Sequence, residues 1–282
     1  MRTPEFMIDT ANLDDIERVW EKLNKAGVFA TSVRGITTNP NALDKINCHT
    51  IREFETTIYK LTRFLTRIGA KDATVHVQMP QSNMSTNELE MWIDYIKQLG
   101  DGRTGLTLKV SPYVPTLTQL QVIQGFQLIP INVTGISDAT TALRCLTYPV
   151  AYVSIIPGRM EEVGIDAVSH LKILDQRFSL NDRIVGGKII TGSMRTIDGL
   201  LRAIFLKTVP TIGTRVWDAM TDEQYKQFAD SWWNLPSDLV PDYLADIPLI
   251  DQRNIDLTRQ FFAQMDTLGK PLYDEFVNKQ CK

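Results

Sequence analysis

Cysteine and histidine are both scarce in this chain, and each shortage excludes something. Cys48, Cys145 and Cys281 are far apart and odd in number, which argues against a disulfide frame and for free thiols in a reducing cytoplasm. His49, His76 and His170 have no His or Cys partner at ligand spacing, so no catalytic metal is expected. No apolar run approaches the roughly 20 residues of a membrane span. The N-terminus lacks the charged start, apolar core and small-residue cleavage site of an export signal, so a cytoplasmic protein is expected. A net charge of -3 with no basic run argues against a nucleic-acid partner. Internal repeats, low-complexity tracts and a composition break that would mark a domain boundary are missing as well.

What is present is an ordinary globular composition, 43% hydrophobic and 22% charged over 282 residues. That length accommodates two modest domains or one large α/β barrel. The pattern along the chain favours the second. Met7 and Ile8 begin a short strand ending at Asp9, and Thr10 or Asn12 can cap a helix carrying Leu13, Ile16, Val19, Trp20 and Leu23, stopped by Gly27. Strands are expected again at 33–36, 73–79, 106–112, 128–134, 150–155, 188–191 and 208–212. Each is followed by a segment of helical periodicity: Ile51 to Leu65, Leu89 to Leu99 closed by Gly100, 116–125, Ser137 or Asp138 to Leu146, 166–178, 196–205 and a last one from Thr221. Gly186 and Gly187 precede the seventh strand. Eight strand-then-helix units predict the α/β class and, within it, a single (β/α)8 TIM barrel over 7–230. Residues 1–6 do not join the pattern, and Met7 could be a native start; the first six are read as an added remnant ahead of the barrel. Residues 231–282 hold Trp232, Trp233, Pro236, Pro241, Pro248 and Pro271. They end in a helix with Leu257, Phe261, Met265 and Leu268 on one stripe, a C-terminal helical extension expected to pack on the barrel or against a neighbouring subunit of a homo-oligomer.

The fourth strand, Leu106 to Pro112, places Lys109 between apolar residues. Desolvation of a mid-strand ammonium lowers its pKa and leaves more free amine, the form that attacks a ketone to make a Schiff base; pairing with an internal carboxylate is the plainer alternative. Alternation then selects the residues that share its inward face near the strand ends. These are Asp9, Thr37, Asn39, His76, Gln78, Asn132, Thr134, Ser154, Thr191 and Ser193. A barrel filled only for stability would carry branched aliphatics there, since each buried polar group without a partner costs on the order of 1 to 3 kcal/mol. A polar mouth is a candidate site. Asp9 can accept the proton of a substrate hydroxyl while an adjacent carbon-carbon bond breaks, or it can serve as a helix N-terminal carboxylate or an ion-pair partner of Lys109. Gln78 and Thr134 can hold a water or a hydroxyl. His76, deeper in its strand, reads as a hydrogen-bonded core histidine. Arg159, Ser193 and Arg195, near a helix start after the sixth and seventh strands, make a phosphate seat; surface ion pairing is the other account of the two arginines.

Ile8-Asp9-Thr10-Ala11-Asn12-Leu13, Gly35-Ile36-Thr37-Thr38-Asn39-Pro40, Leu108-Lys109-Val110, Asn132-Val133-Thr134, Gly158-Arg159 and Gly192-Ser193-Met194-Arg195 together resemble the transaldolase family, including its fructose-6-phosphate aldolase branch. The resemblance runs from about Met7 to Trp217. It implies a class I mechanism with no metal or organic cofactor, in which Lys109 holds a dihydroxyacetone unit from a sugar phosphate. It further implies Asp9 as the proton-transfer carboxylate, Asn39 and Asn132 as contacts to the three-carbon unit, and Arg159, Ser193 and Arg195 as the phosphate site. Transaldolases proper carry glutamate where this chain has Gln78. The aldolase branch has glutamine there, with a tyrosine at the position of Ile156, where transaldolases have phenylalanine. Three outcomes stay open: transfer to an acceptor aldose, cleavage to free dihydroxyacetone, or a barrel that binds a sugar phosphate without turning it over.

Overall fold

The computed structural model describes residues 4–99, 105–180, 187–230 and 252–280. Eight parallel strands close in sequence order into a barrel: β1 (Phe6–Asp9), β2 (Val33–Thr37), β3 (Thr74–Gln78), β4 (Gly105–Val110), β5 (Ile131–Ile136), β6 (Tyr152–Ile155), β7 (Lys188–Thr191) and β8 (Val209–Gly213). The helices are α1 (Leu13–Lys25), α2 (Pro40–Asp44), α3 (Ile51–Ile68), α4 (Thr86–Leu99), α5 (Val114–Val122), α6 (Gly125–Leu128), α7 (Ala139–Cys145), α8 (Pro157–Glu162), α9 (Ala167–Leu180), α10 (Ile197–Phe205), α11 (Thr214–Ala219), α12 (Asp222–Asp230) and α13 (Gln252–Gln280). The TIM barrel expected from the strand-helix alternation is the fold. The readings on Gly100, Gly186, Trp232, Trp233, Pro236, Pro241, Pro248 and Cys281 lie outside the described residues.

Alternation along the strands separates two cores. Ile8, Ile36, Val75, Val77, Leu108, Val110, Val133 and Val153 are fully buried between sheet and helices, each worth about 1.5 to 3 kcal/mol relative to exposure. Inside the ring a second, smaller cluster of Met7, Ile190 and Val209, with Tyr152 packed on it, fills the lower layers. Local signals match the helix starts. Asn12 accepts from the Asp14 N–H to cap α1, and Thr50 with Glu53 forms a reciprocal capping box on α3.

Two expectations are corrected. The fold begins before Met7: Phe6 opens β1, is fully buried and meets Trp217 and Phe228 edge-on, while Glu5 pairs with Arg34 and Lys188 beneath the barrel. The fifth strand begins at Ile131 rather than Leu128, because Gly125–Leu128 forms a helical turn and Pro130 separates it from the strand.

Helix α13 lies over the loops at the C-terminal end of the strands. Asp266 accepts from the Ser82 N–H (2.7 Å) and hydroxyl (2.6 Å) after β3, Phe262 meets Tyr113 after β4, and Asn254 exchanges hydrogen bonds with Ser137 after β5. Leu257, Phe261, Phe262, Met265, Leu272 and Phe276 are its buried stripe. Gly269 permits the approach, since a Cβ there would stand 2.1 Å from the Pro80 carbonyl oxygen.

Candidate active site

Lys109 is 6% exposed and its Nζ donates to the Thr38 carbonyl oxygen at 2.9 Å. That carbonyl is itself fixed, because the Thr38 N–H (2.8 Å) and hydroxyl (3.1 Å) both donate to the His76 carbonyl. Burial pulls the lysine down to about 8 from its usual 10.5, opposed by the charge of Asp9. The carboxylate of Asp9 in turn accepts from the Thr37 hydroxyl at 2.7 Å. The sheet register explains the gathering: Gln78 pairs with Lys109, Lys109 with Asn132, and Asp9 with Thr37, so these side chains rise on one face.

Asn132 sits at the centre of a buried chain. The Ser154 hydroxyl donates to its Oδ1 at 2.7 Å, and its Nδ2 lies 3.0 Å from His76 Nδ1. Gln78 is buried with its Oε1 unpartnered among the described residues. An acceptor held this way favours a ligand or water that donates to it. Thr134 is buried at a break in the β5 register, beside Gly135 in a left-handed conformation. Asn39 caps α2, its Oδ1 accepting from the Ala42 N–H at 2.9 Å.

The two arginine loops meet. A Cβ on Gly158 would lie 1.9 Å from the Ser193 carbonyl oxygen, so only glycine lets α8 approach the turn after β7, and Ser193 holds a left-handed φ of 55°. Arg159 is drawn below the usual guanidinium range by burial and by the neighbouring positive charge of Arg195. Its Nε is buried without a partner among the described residues, its Nη1 donates to Gln264 at 3.3 Å, and its guanidinium lies 4.9 Å from the centre of the Phe261 ring. Arg195 donates to Glu162 at 2.7 Å, the ion pairing that the plainer account foresaw.

One inward assignment fails. Ile190, not Thr191, belongs to the inner cluster, and the Thr191 hydroxyl meets Thr208 at 3.0 Å, whose own hydroxyl donates to Ala203 on α10. Thr191 therefore faces the helical layer. Thr211, Tyr152 and Thr38 were missed. Thr211 pairs with Met7 in register and has a buried hydroxyl with no partner among the described residues; the alternation of 208–212 would have found it had a parity been assigned there. Tyr152 lies under His76, ring centres 4.9 Å apart. Thr38 acts through its carbonyl, for which no side-chain pattern is a signal.

A wide groove of about 690 Å³ lies elsewhere, between the start of α1 and α3, and includes Asn12, Asn47, Arg52 and Lys60; none of the inward residues lines it. Among the described residues no group of three or more His, Cys, Asp or Glu side chains is placed to hold a metal ion, and no helix is long and apolar enough to cross a membrane.

Sequence comparison brings relatives to this lysine-centred barrel. A protein of Oceanobacillus iheyensis named "Probable transaldolase" is 28% identical over 81% of this chain and 98% of its own length. A "Probable transaldolase" of Halalkalibacterium halodurans is 27% identical over 82% and 99%, and a "Probable transaldolase 2" of Bacillus cereus 24% identical over 82% and 98%. This chain is similar over most of its length to proteins named probable transaldolases. No protein-family profile matches it. A monomeric dihydrodipicolinate synthase variant superposes with a TM-score of 0.50 at 11% identity, covering 95% of this chain and 97% of the other, a likeness of fold alone. The relatives' names and the aldolase-type barrel together support an enzyme of the aldolase class.

Proposed function

We propose that the chain is a Schiff-base transaldolase acting on sugar phosphates without a metal or organic cofactor. The neutral amine of Lys109 adds to the ketone of a ketose phosphate, and loss of water gives an iminium. Asp9 takes the proton of the hydroxyl two carbons from the iminium carbon, that oxygen becomes the aldehyde of the departing sugar, and the bond between its carbon and the carbon next to the iminium breaks. The electron pair passes into the iminium to give an enamine, and the aldose phosphate leaves. The enamine then attacks the carbonyl carbon of a second aldose, whose oxygen recovers a proton, and water releases the new ketose from Lys109. Gln78 and Thr134 hold the water of these steps, and Thr37, Asn132 and Ser154 contact the three-carbon unit, with Asn39 at its edge. The phosphate rests on Arg159, Ser193 and Arg195. Two mutually repelling guanidiniums on loops in backbone contact favour an anion between them.

The observation that carries this reading is the Lys109 amine, buried, lowered to about 8 and held by a backbone carbonyl within the field of Asp9. Trapping with borohydride in the presence of fructose 6-phosphate is expected to leave a three-carbon adduct on Lys109. Tight binding of the sugar phosphate with no adduct would instead mark a non-catalytic barrel. A second reading, cleavage to free dihydroxyacetone, draws on Gln78, which is not an acid. Product formation without an acceptor aldehyde separates it from transfer, which requires the acceptor.

A further inference from the structure

The imidazole of His76 has no task in the scheme above, yet it occupies the floor of the site and touches one of its members. We propose that His76 is a positioning residue whose Nδ1 fixes the orientation of the Asn132 carboxamide, so that Asn132 meets the substrate with one set amide face. This inference rests on the Schiff-base reading, in which Asn132 contacts the three-carbon unit.

Three observations carry it. First, the Asn132 amide is held at both ends, by the Ser154 hydroxyl on Oδ1 at 2.7 Å and by His76 on Nδ2 at 3.0 Å, and all three side chains are buried. An asparagine amide has two N–H donors and an oxygen with two lone pairs. These contacts use one donor and one lone pair, and leave one N–H and one lone pair for a ligand.

Second, a neutral ring that accepts at Nδ1 carries its proton on Nε2. That atom is fully buried with no hydrogen-bond partner among the described residues. Fixing this tautomer leaves a buried donor unmet, a cost that a histidine serving only as core filling has no reason to bear. Phenylalanine or leucine would fill the same space against Tyr152 without it.

Third, charge keeps the ring in the accepting form. Lys109 is the charged group that acts on it, and burial together with that charge lowers His76 to about 3. At neutral pH it has no proton to place on Nδ1 beyond the one it carries on Nε2. A protonated ring would donate from both nitrogens and turn the Asn132 amide over. The strand register explains why His76 rather than a neighbour does this. Asn132 pairs in register with Lys109 on one side and Tyr152 on the other, and His76 on β3 reaches it across the barrel over β4.

The test uses the full chain with two replacements. His76→Phe keeps the ring volume and removes the acceptor; His76→Asn sets an amide oxygen near the place of Nδ1. Borohydride trapping at Lys109 over a range of fructose 6-phosphate concentrations is expected to show His76→Phe slower by about tenfold or more at low substrate. His76→Asn should recover most of the loss. Adding Ser154→Ala should cost less in the His76→Phe background than in the unaltered protein, because both act through one amide. Equal rates for His76→Phe and the unaltered chain would overturn the proposal, and so would His76→Asn being as slow as His76→Phe when both melt at the same temperature. If the unaltered chain forms no adduct, the Schiff-base reading fails by itself. The orientation claim is then read directly by imidazole ¹⁵N NMR of the unliganded protein, where Nδ1 should stay unprotonated from about pH 5 to 9 and respond to Asn132→Ala. A protonated Nδ1 in that range overturns it.

Discussion

Replacing Lys109 by methionine should make the protein more stable while removing its chemistry. The unfolded chain carries an ordinary lysine near 10.5, and the folded one holds it at about 8, chiefly through burial and against the pull of Asp9. Because the folded pKa is the lower, the unfolded state binds more protons between those values, and stability rises with pH across that window. Below pH 8 the cost of the buried ammonium is fully present, about 3 kcal/mol from the size of the depression. Methionine removes that cost, but also the bond to the Thr38 carbonyl, worth about 1 kcal/mol. The net gain at pH 7 is about 2 kcal/mol, or roughly 4 to 8 °C in the melting midpoint. Urea unfolding of both proteins at pH 7 and pH 10 tests the sign as well as the size: the advantage of Lys109→Met should shrink at the higher pH and reverse once the bond to Thr38 dominates. A variant less stable than the parent at pH 7, or a difference independent of pH, would refute the claim that a desolvated ammonium is the strained element of the site. The same depression bears on reactivity. At pH 7 an amine of pKa 8 is about one-tenth free base, against about three in ten thousand at 10.5, so adduct formation should climb tenfold per pH unit toward 8 and then level.

Other consequences follow from close contacts and charge. Gly158→Ala places a methyl 1.9 Å from the Ser193 carbonyl and must spread the two arginine loops; KM for a phosphorylated ketose should rise about tenfold with kcat less affected, which steady-state kinetics will read. Gly269→Ala drives a methyl to 2.1 Å from the Pro80 carbonyl and should lift α13 from Gln81 and Ser82, seen as faster amide exchange after β3 and a loss of about 1 to 3 kcal/mol in denaturant titration. Glu5 loses solvation on burial, yet hydrogen bonds from Arg34 and Lys188 hold its carboxyl at about 2. Glu5→Gln should therefore cost about 1 kcal/mol at neutral pH, discounted for its exposure. The difference from the parent should fade as pH drops from 4.5 toward 2, since a depressed carboxylate loses its stabilising contribution in that window.

Much of this arrangement was legible in the residues. Alternation around Lys109 assigned Asp9, Thr37, Gln78, Asn132, Thr134 and Ser154 to one face because a strand has a period of two and a closed barrel gives every strand the same inside. On β7 alternation fails by one residue: the polar choice is Thr191, but Ile190 takes the inward place to fill the lower layer, and Thr191 hydrogen-bonds into the helical layer instead. Asn39 reads by the same alternation as an inward residue two positions after Thr37. Its capping of α2 depends on the helix that Pro40 starts, a feature read only once that turn is folded.

The local code thus decided the order of strands and helices, the lysine and most of the inward set around it, because period and turn chemistry are properties of neighbours in sequence. It could not decide how far burial lowers that lysine, that the Thr38 carbonyl receives its amine, or that His76 reaches over a strand to Asn132. Those depend on residues 56 and 71 positions apart in the chain meeting inside a closed ring, where a low dielectric and fixed partners exist only after the barrel has closed.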